Sequence, residues 1–209
     1  ANRPVFQEFV KAGKWDEAVR VMESVPVDFP YVDTVALFDP EGVITAVTPL
    51  NPSIREAIGK SFAYRDYYIG VSKNWKPYVS EVFKRAVKPA YNVISVAIPI
   101  KTGSVFQGVD QKILGILLLT IKLDTILDWT REIEVGRGGI AYFIDKNGNI
   151  AGHPEHSSLD KVVNFSEAPV VEKILGGEKG VEILYNPFVK EERLFAYEQV
   201  PVYGWGVIV

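Results

Sequence analysis

The chain has 209 residues, 47% of them apolar, with 23 basic against 26 acidic side chains and a formal charge of −3. Such a composition supports a packed core and one large or two small domains, and excludes wholesale disorder. Charges of both signs are interspersed, which argues against a general nucleic-acid binder, and the absence of cysteine excludes disulfides, thiolate metal sites and a cysteine nucleophile.

Residues 5–25 carry Val5, Phe6, Phe9, Val10, Ala18, Val21 and Met22 close to one helical face, which predicts a long or broken amphipathic helix stopped at Pro26. Thr34 to Phe38 and Val43 to Thr48 read as strands joined by the turn Asp39-Pro40-Glu41-Gly42. Pro49 and Pro52 break the chain, and Ser53 is suited to cap a short helix through Ile58. The segment 60–78 is irregular, rich in aromatic residues, and long enough to be a functional loop with short helical turns. Strands follow at 79–84, 91–100 and 113–123, the last dense enough in apolar residues to be central. Its apolar core, Ile113 to Ile121, is far short of the roughly 20 residues of a membrane span. A helical linker through Leu123, Ile126, Leu127 and Trp129 leads to the second half. There, strands are predicted at 140–144, 149–152, 180–185, 193–199 and 205–209, with a helix opened by Pro169 and closed at Gly176-Gly177.

One pattern occurs twice. Phe38-Asp39-Pro40-Glu41-Gly42-Val43-Ile44 recurs as Ile144-Asp145-Lys146-Asn147-Gly148-Asn149-Ile150. Both halves then run hairpin, helical excursion and three strands, the order of an antiparallel α+β module used twice. Asp39 and Asp145 occupy the same place in each copy and suit turn formation, their carboxylates accepting from nearby backbone N–H groups. A calcium loop at 145–149 is disfavoured, because its glycine comes too early and no bidentate Glu follows at the right distance.

Only the first copy is followed by a basic–aromatic cluster, Tyr64-Arg65-Asp66-Tyr67-Tyr68, with Trp75 and Tyr78 close behind. An Arg fork matches a carboxylate, and phenol rings offer apolar walls with hydroxyl tips, so the cluster could form a box for a small anionic metabolite. The alternative is a surface Arg paired with Asp66 over tyrosines packed beneath a loop. His153 and His156, in His-Pro-Glu-His, are the chain's two histidines; they could begin a metal site, but Pro154 favours a plain polar loop. No nucleophile–base–orienter set is found, so no catalytic residue, resident metal or cofactor is assigned, and enzymatic activity of this segment is not expected.

The order of motifs, from the N-terminal helix through the Asp-x-x-Gly hairpin, Arg65-Asp66-Tyr67-Tyr68, Tyr78-Val79-Ser80, Ile98-Pro99-Ile100 and Gly115-Ile116-Leu117 to Gly204-Trp205-Gly206-Val207, resembles the double-Cache, or tandem PAS-like, extracytoplasmic sensor domains of microbial histidine kinases and chemoreceptors. The resemblance implies a long N-terminal helix over residues 1–30, a membrane-distal ligand-binding module over 31–130 and a membrane-proximal module over 131–209, each an antiparallel sheet of about five strands flanked by helices. It implies that Arg65, Tyr67 and Tyr68 grip a carboxylate, with Tyr78 assisting. Amino-acid-binding members hold the ligand's ammonium with an Asp; the equivalent here is Thr120, and Lys60 replaces a Tyr five residues before the Arg. A carboxylate lacking an ammonium, or another small polar metabolite, is the expected ligand, with Arg65, Tyr67, Tyr68, Trp75, Tyr78 and Thr120 as its site. The chain is then an extracytoplasmic segment of a receptor anchored by flanking membrane segments, with a homodimer left open. The alternative is a ligand-free structural or protein-interaction module.

Overall fold

The computed structural model describes residues 4–102, 111–136, 138–154 and 161–209. The chain divides into two compact units, residues 1–80, 86–89 and 94–121 forming one and residues 81–85, 90–93 and 122–209 the other. These units interleave along the chain.

The first unit begins with helices α1 (Pro4–Lys11), α2 (Trp15–Arg20) and α3 (Val25–Asp28). Among the described residues the expected long N-terminal helix is not seen: α1 spans 4–11, and the predicted periodic segment is broken between α1 and α2. The cause is Gly13, which adopts φ +69°. Its N–H donates to Val10 O and that of Lys14 to Phe9 O, the Schellman pattern that terminates a helix. The sheet comprises β1 (Val32–Phe38), β2 (Ile44–Thr48), β3 (Tyr78–Val79), β5 (Asn92–Lys101) and β6 (Ile113–Lys122), in the order β2-β1-β6-β5-β3; β4 (Phe83–Lys84) pairs with Asn92 and Val93 at the start of β5, residues that, like β4, belong to the other unit.

Strand alternation gives this sheet two different faces. Val35 and Leu37 of β1 lie opposite Leu119 and Leu117 of β6 and pack with Phe6, Val10, Ala18 and Val19 of α1 and α2. Thr34, Ala36 and Phe38 lie opposite Thr120, Leu118 and Ile116 on the other face. Gly115 lets β6 approach β1, since a Cβ there would fall 2.3 Å from Phe38 O. The segment after β2 leads to α4 (Pro52–Arg55), whose cap is Asn51 rather than Ser53: the Asn51 Oδ1 accepts from Ile54 N–H at 2.9 Å, and Pro52 occupies the first turn. The aromatic segment contains one helix, α5 (Asp66–Ser72).

The second unit holds a sheet of β7 (Tyr142–Ile144), β8 (Ile150–Gly152), β9 (Gly180–Asn186), β10 (Glu191–Gln199) and β11 (Gly206–Ile208), ordered β8-β7-β11-β10-β9. Helix α6 (Leu123–Glu132) reaches β8 at Gly152, and α7 (Pro169–Leu175) lies on β11 at Gly206, where a Cβ would fall 2.6 Å from Ile174. Tyr142, Ile144, Phe165, Val171, Ile174, Phe195 and Ile208 form its core. The α+β class and the two antiparallel sheets thus match the expectation, while the long helix does not.

Candidate functional site

In α5 the buried residues are Tyr67 and Val71, one turn apart, so this stripe faces inward. The Tyr67 ring meets Phe38 edge-on at 6.0 Å, placing α5 on the sheet face that carries Thr34, Ala36 and Phe38. Burial pushes the Tyr67 phenol pKa well above the ordinary tyrosine value, partly offset by the Arg65 charge, so the hydroxyl stays neutral. Tyr78 of β3 pairs with Ala97 of β5, its ring lies against Gly70 of α5, and its hydroxyl donates to Asp66 Oδ1 at 2.8 Å.

The same sheet face also carries buried polar residues. Ser80 and Ser95 are fully buried and Thr120 is 7% exposed. Ser80 and Ser95 exchange bonds: Ser80 N–H donates to Ser95 O at 2.9 Å, and Ser95 N–H donates to Ser80 Oγ at 2.8 Å. The Ser95 and Thr120 hydroxyls lie 3.3 Å apart, and Thr34, also buried, is the register partner of Thr120. A row of hydroxyls therefore crosses the sheet from β1 through β6 and β5 to the residue after β3. Each hydroxyl carries one donor and two acceptor positions.

The expected site residues fall into two groups. Tyr67, Tyr78 and Thr120 share the sheet face covered by α5. Arg65 sits half-buried at the N-terminal end of α5 with its guanidinium 5.3 Å from the Tyr64 ring centroid. Tyr68 leaves the group: its hydroxyl donates to Pro40 O at 2.8 Å, and its ring covers Gly42 in the β1–β2 turn. Burial, then Glu41 and Asp39, raise the Tyr68 pKa. Trp75 lies beyond the helix end with φ +51°, a conformation that bulky residues rarely adopt. Thr34, Ser80 and Ser95 are not among the expected site residues, although Ser95 is the lone hydroxyl of β5 and Ser80 follows β3 two residues after Tyr78.

The other constellations resolve locally. Asp145 is fully buried; it accepts from Val82 N–H (2.7 Å), Asn147 N–H (2.8 Å), Asn149 N–H (2.9 Å) and Asn149 Nδ2 (2.8 Å), so its carboxylate serves turn geometry. His153 is buried beside Tyr142 and Phe165, whereas His156 lies outside the described residues. Among the described residues no three His, Asp or Glu side chains converge to hold a metal. No described helix is long and apolar enough to cross a membrane.

The Cache domain family model matches residues 11–209. The chain belongs to the Cache domain family. No curated protein matches it in sequence. Solved structures share the Cache architecture at low identity. The extracellular domain of the candidate histidine kinase rpHK1S-Z16 aligns at 17% identity and TM-score 0.69, over 98% of this chain and 86% of that one. The ligand-binding domain of the Pseudomonas fluorescens chemoreceptor CtaA, in complex with L-isoleucine, aligns at 16% identity and TM-score 0.64, over 98% and 79%. That of the Pseudomonas aeruginosa amino acid chemoreceptor PctB, in complex with L-Gln, aligns at 14% identity and TM-score 0.63, over 98% and 81%. At these identities the likeness establishes the fold. The neighbours include extracellular domains of candidate histidine kinases and the periplasmic sensory domain of the Campylobacter jejuni chemoreceptor Tlp1.

Proposed function

We propose that this Cache domain is the extracytoplasmic sensor of a transmembrane receptor of the histidine kinase or chemoreceptor type, and that its first unit binds a small polar metabolite bearing a carboxylate. The observation that carries this reading is the buried hydroxyl row Ser80–Ser95–Thr120 on the sheet face against which α5 packs, with Arg65 at one end of that helix. A core position filled for packing alone favours apolar side chains, because a buried hydroxyl must find partners to offset its desolvation. In the proposed complex Arg65 anchors the carboxylate, Tyr67, Trp75 and Tyr78 wall the ligand, and Thr120 with Ser95 forms the floor. Tyr68 acts indirectly by holding the β1–β2 turn. Two neighbours were solved with L-Gln or L-isoleucine bound. With a hydroxyl at Thr120 this chain supplies no charge for an ammonium there, so a carboxylate without an amino group fits better.

Thermal-shift screening of short mono- and dicarboxylates against the matching α-amino acids tests both parts. Carboxylates are expected to raise Tm and amino acids not. Arg65→Ala should weaken the best hit at least about tenfold, the equivalent of one charge-assisted hydrogen bond. A hit set confined to α-amino acids would overturn the ligand class, and unchanged affinity in Arg65→Ala would remove Arg65 from the site.

A second reading, a protein-interaction module, is favoured by one feature. Val181 and Ile183 of β9 and Leu194 of β10 form an exposed apolar row on the second unit's sheet. The simplest occupant is a second copy of the chain, and sedimentation equilibrium with and without Ile183→Lys would reveal it as a loss of dimer.

A further inference from the structure

The second unit contains a cavity of about 510 Å³ that the first unit's proposed ligand does not use. Its volume lies within the roughly 300–1,000 Å³ typical of small-molecule sites. His153, 6% exposed, forms part of its wall. The imidazole is flanked by the rings of Tyr142 at 4.9 Å and Phe165 at 6.0 Å. Phe165 in turn stacks on Phe188, with ring centroids 3.6 Å apart and planes 20° from parallel. The β9–β10 turn fixes Phe188 there: Asn186 Oδ1 accepts from Phe188 N–H at 3.0 Å and from Val189 N–H at 3.4 Å, and Lys190 N–H closes the turn on Asn186 O at 2.8 Å. Arg193 completes the polar lining; its Nε donates to Glu191 Oε1 at 2.7 Å, and Glu191 lies outside the lining.

Two properties of this wall define what it can hold. Most of it is aromatic or aliphatic, so the bulk of a ligand must be apolar. Among the described residues, its polar side chains are Tyr142, His153, Asn186 and Arg193, with no acidic residue. Burial keeps the Tyr142 hydroxyl protonated, and guanidinium, amide and phenol are all donors. Arg193 is already paired with Glu191 through Nε and Nη2, so the guanidinium N–H groups outside that pair are the donors offered to an anion, and stacked rings select a flat body.

We propose that this cavity is a second ligand site, for a ring-bearing monocarboxylate whose ring lies against Phe165 and Phe188 and whose carboxylate reaches Arg193. A receptor so built reads two chemically different metabolites, one in each unit.

The test uses 4-fluorobenzoate, followed by ¹⁹F NMR on the 209-residue chain. Saturable binding is expected, weakened at least about tenfold by Arg193→Gln and also weakened by Phe188→Ala, while Arg65→Ala leaves it within about twofold. Both Arg193 and Phe188 are substantially exposed, so these variants keep the core; a superimposable far-UV spectrum and melting curve verify it. 4-Fluorobenzyl alcohol, with the same ring and no charge, is expected to bind at least about tenfold more weakly. The proposal is overturned if the acid does not saturate, if its affinity follows Arg65→Ala rather than Arg193→Gln, or if the alcohol binds equally well.

Discussion

A Cβ placed on Gly70 would fall 2.2 Å from the Tyr78 ring, and that ring cannot simply swing away because its hydroxyl is tied to Asp66. Two effects compete in Gly70→Ala. Alanine gains about 1 kcal/mol over glycine inside a helix, while overpacking costs about 1–3 kcal/mol, so the clash is expected to win and lower stability in urea titration. In a Tyr78→Ala background the clash is gone and the same substitution should stabilise, a sign reversal that a double-mutant cycle reads directly. The same local geometry explains what the sequence could not convey. Tyr67 and Tyr68 are neighbours in an Arg-x-Tyr-Tyr run, yet adjacent helical residues point about 100° apart, so one faces the sheet and the other turns away to Pro40. Arg65, Tyr67 and Tyr78 stand out in the sequence because aromatic and basic side chains are concentrated in one short segment. Ser80 and Ser95 do not, since single serines in strands are common and only the pairing register shows that they meet.

The hairpin repeat was legible as two elements, and its two aspartates do the same local work to different depths. Asp39 Oδ1 accepts from Glu41 N–H at 3.1 Å and Val43 N–H at 2.8 Å near the surface, whereas Asp145 holds four donors with no exposure. Water can replace the Asp39 carboxylate but not that of Asp145. Asp39→Ala is therefore expected to cost about 1 kcal/mol and Asp145→Ala about 3 kcal/mol or more, seen as a larger fall in urea midpoint at constant m-value. Val82 lies 63 residues from Asp145, a separation at which no sequence pattern announces a bond. The N-terminal helix illustrates the opposite limit: its periodicity ran past Gly13, but a left-handed glycine with Schellman bonds outweighs apolar spacing. On β9, Glu182 accepts from the Tyr197 hydroxyl and from Lys173 Nζ at 3.2 Å, and Lys173 also reaches Glu178 at 3.2 Å. The hydrogen bond from Tyr197, then that from Lys173, lowers the Glu182 pKa; bonds to Glu178 and Glu182 raise that of Lys173. A depressed carboxylate contributes stability that is present above the unfolded value of about 4 and lost as pH falls through its folded value. A raised amine contributes stability present below about 10.4 and lost as pH rises through its folded value. Tm measured across acid pH should therefore decline less steeply in Glu182→Gln than in the native chain, with the alkaline limb altered through Lys173.

At the scale of the whole chain, each unit is assembled from separated stretches. Residues 81–85 and 90–93 belong with 122–209, and residues 86–89 and 94–121 belong with 1–80. Periodicity and turn chemistry report neighbours along the sequence, so they show how many sheets exist but not which short returns complete them. The consequence concerns dissection. A fragment of 122–209 keeps β7 to β11 with α6 and α7, yet it lacks Val82, the partner of Asp145, and Glu81, whose Oε2 accepts from Asn147 Nδ2 at 2.5 Å. Its buried carboxylate would lose a donor, and the 145–149 turn would lose the strand segment that lies on it. Because a folded domain is stable by only about 5–15 kcal/mol, losses of this kind are decisive for a unit of this size. The fragment is expected to melt well below the full chain or without a cooperative transition, whereas adding residues 81–93 back through a flexible linker to 122–209 should restore a sharp melt by circular dichroism. A fragment of 122–209 that melts as cooperatively as the full chain would show that the second unit is complete without those segments.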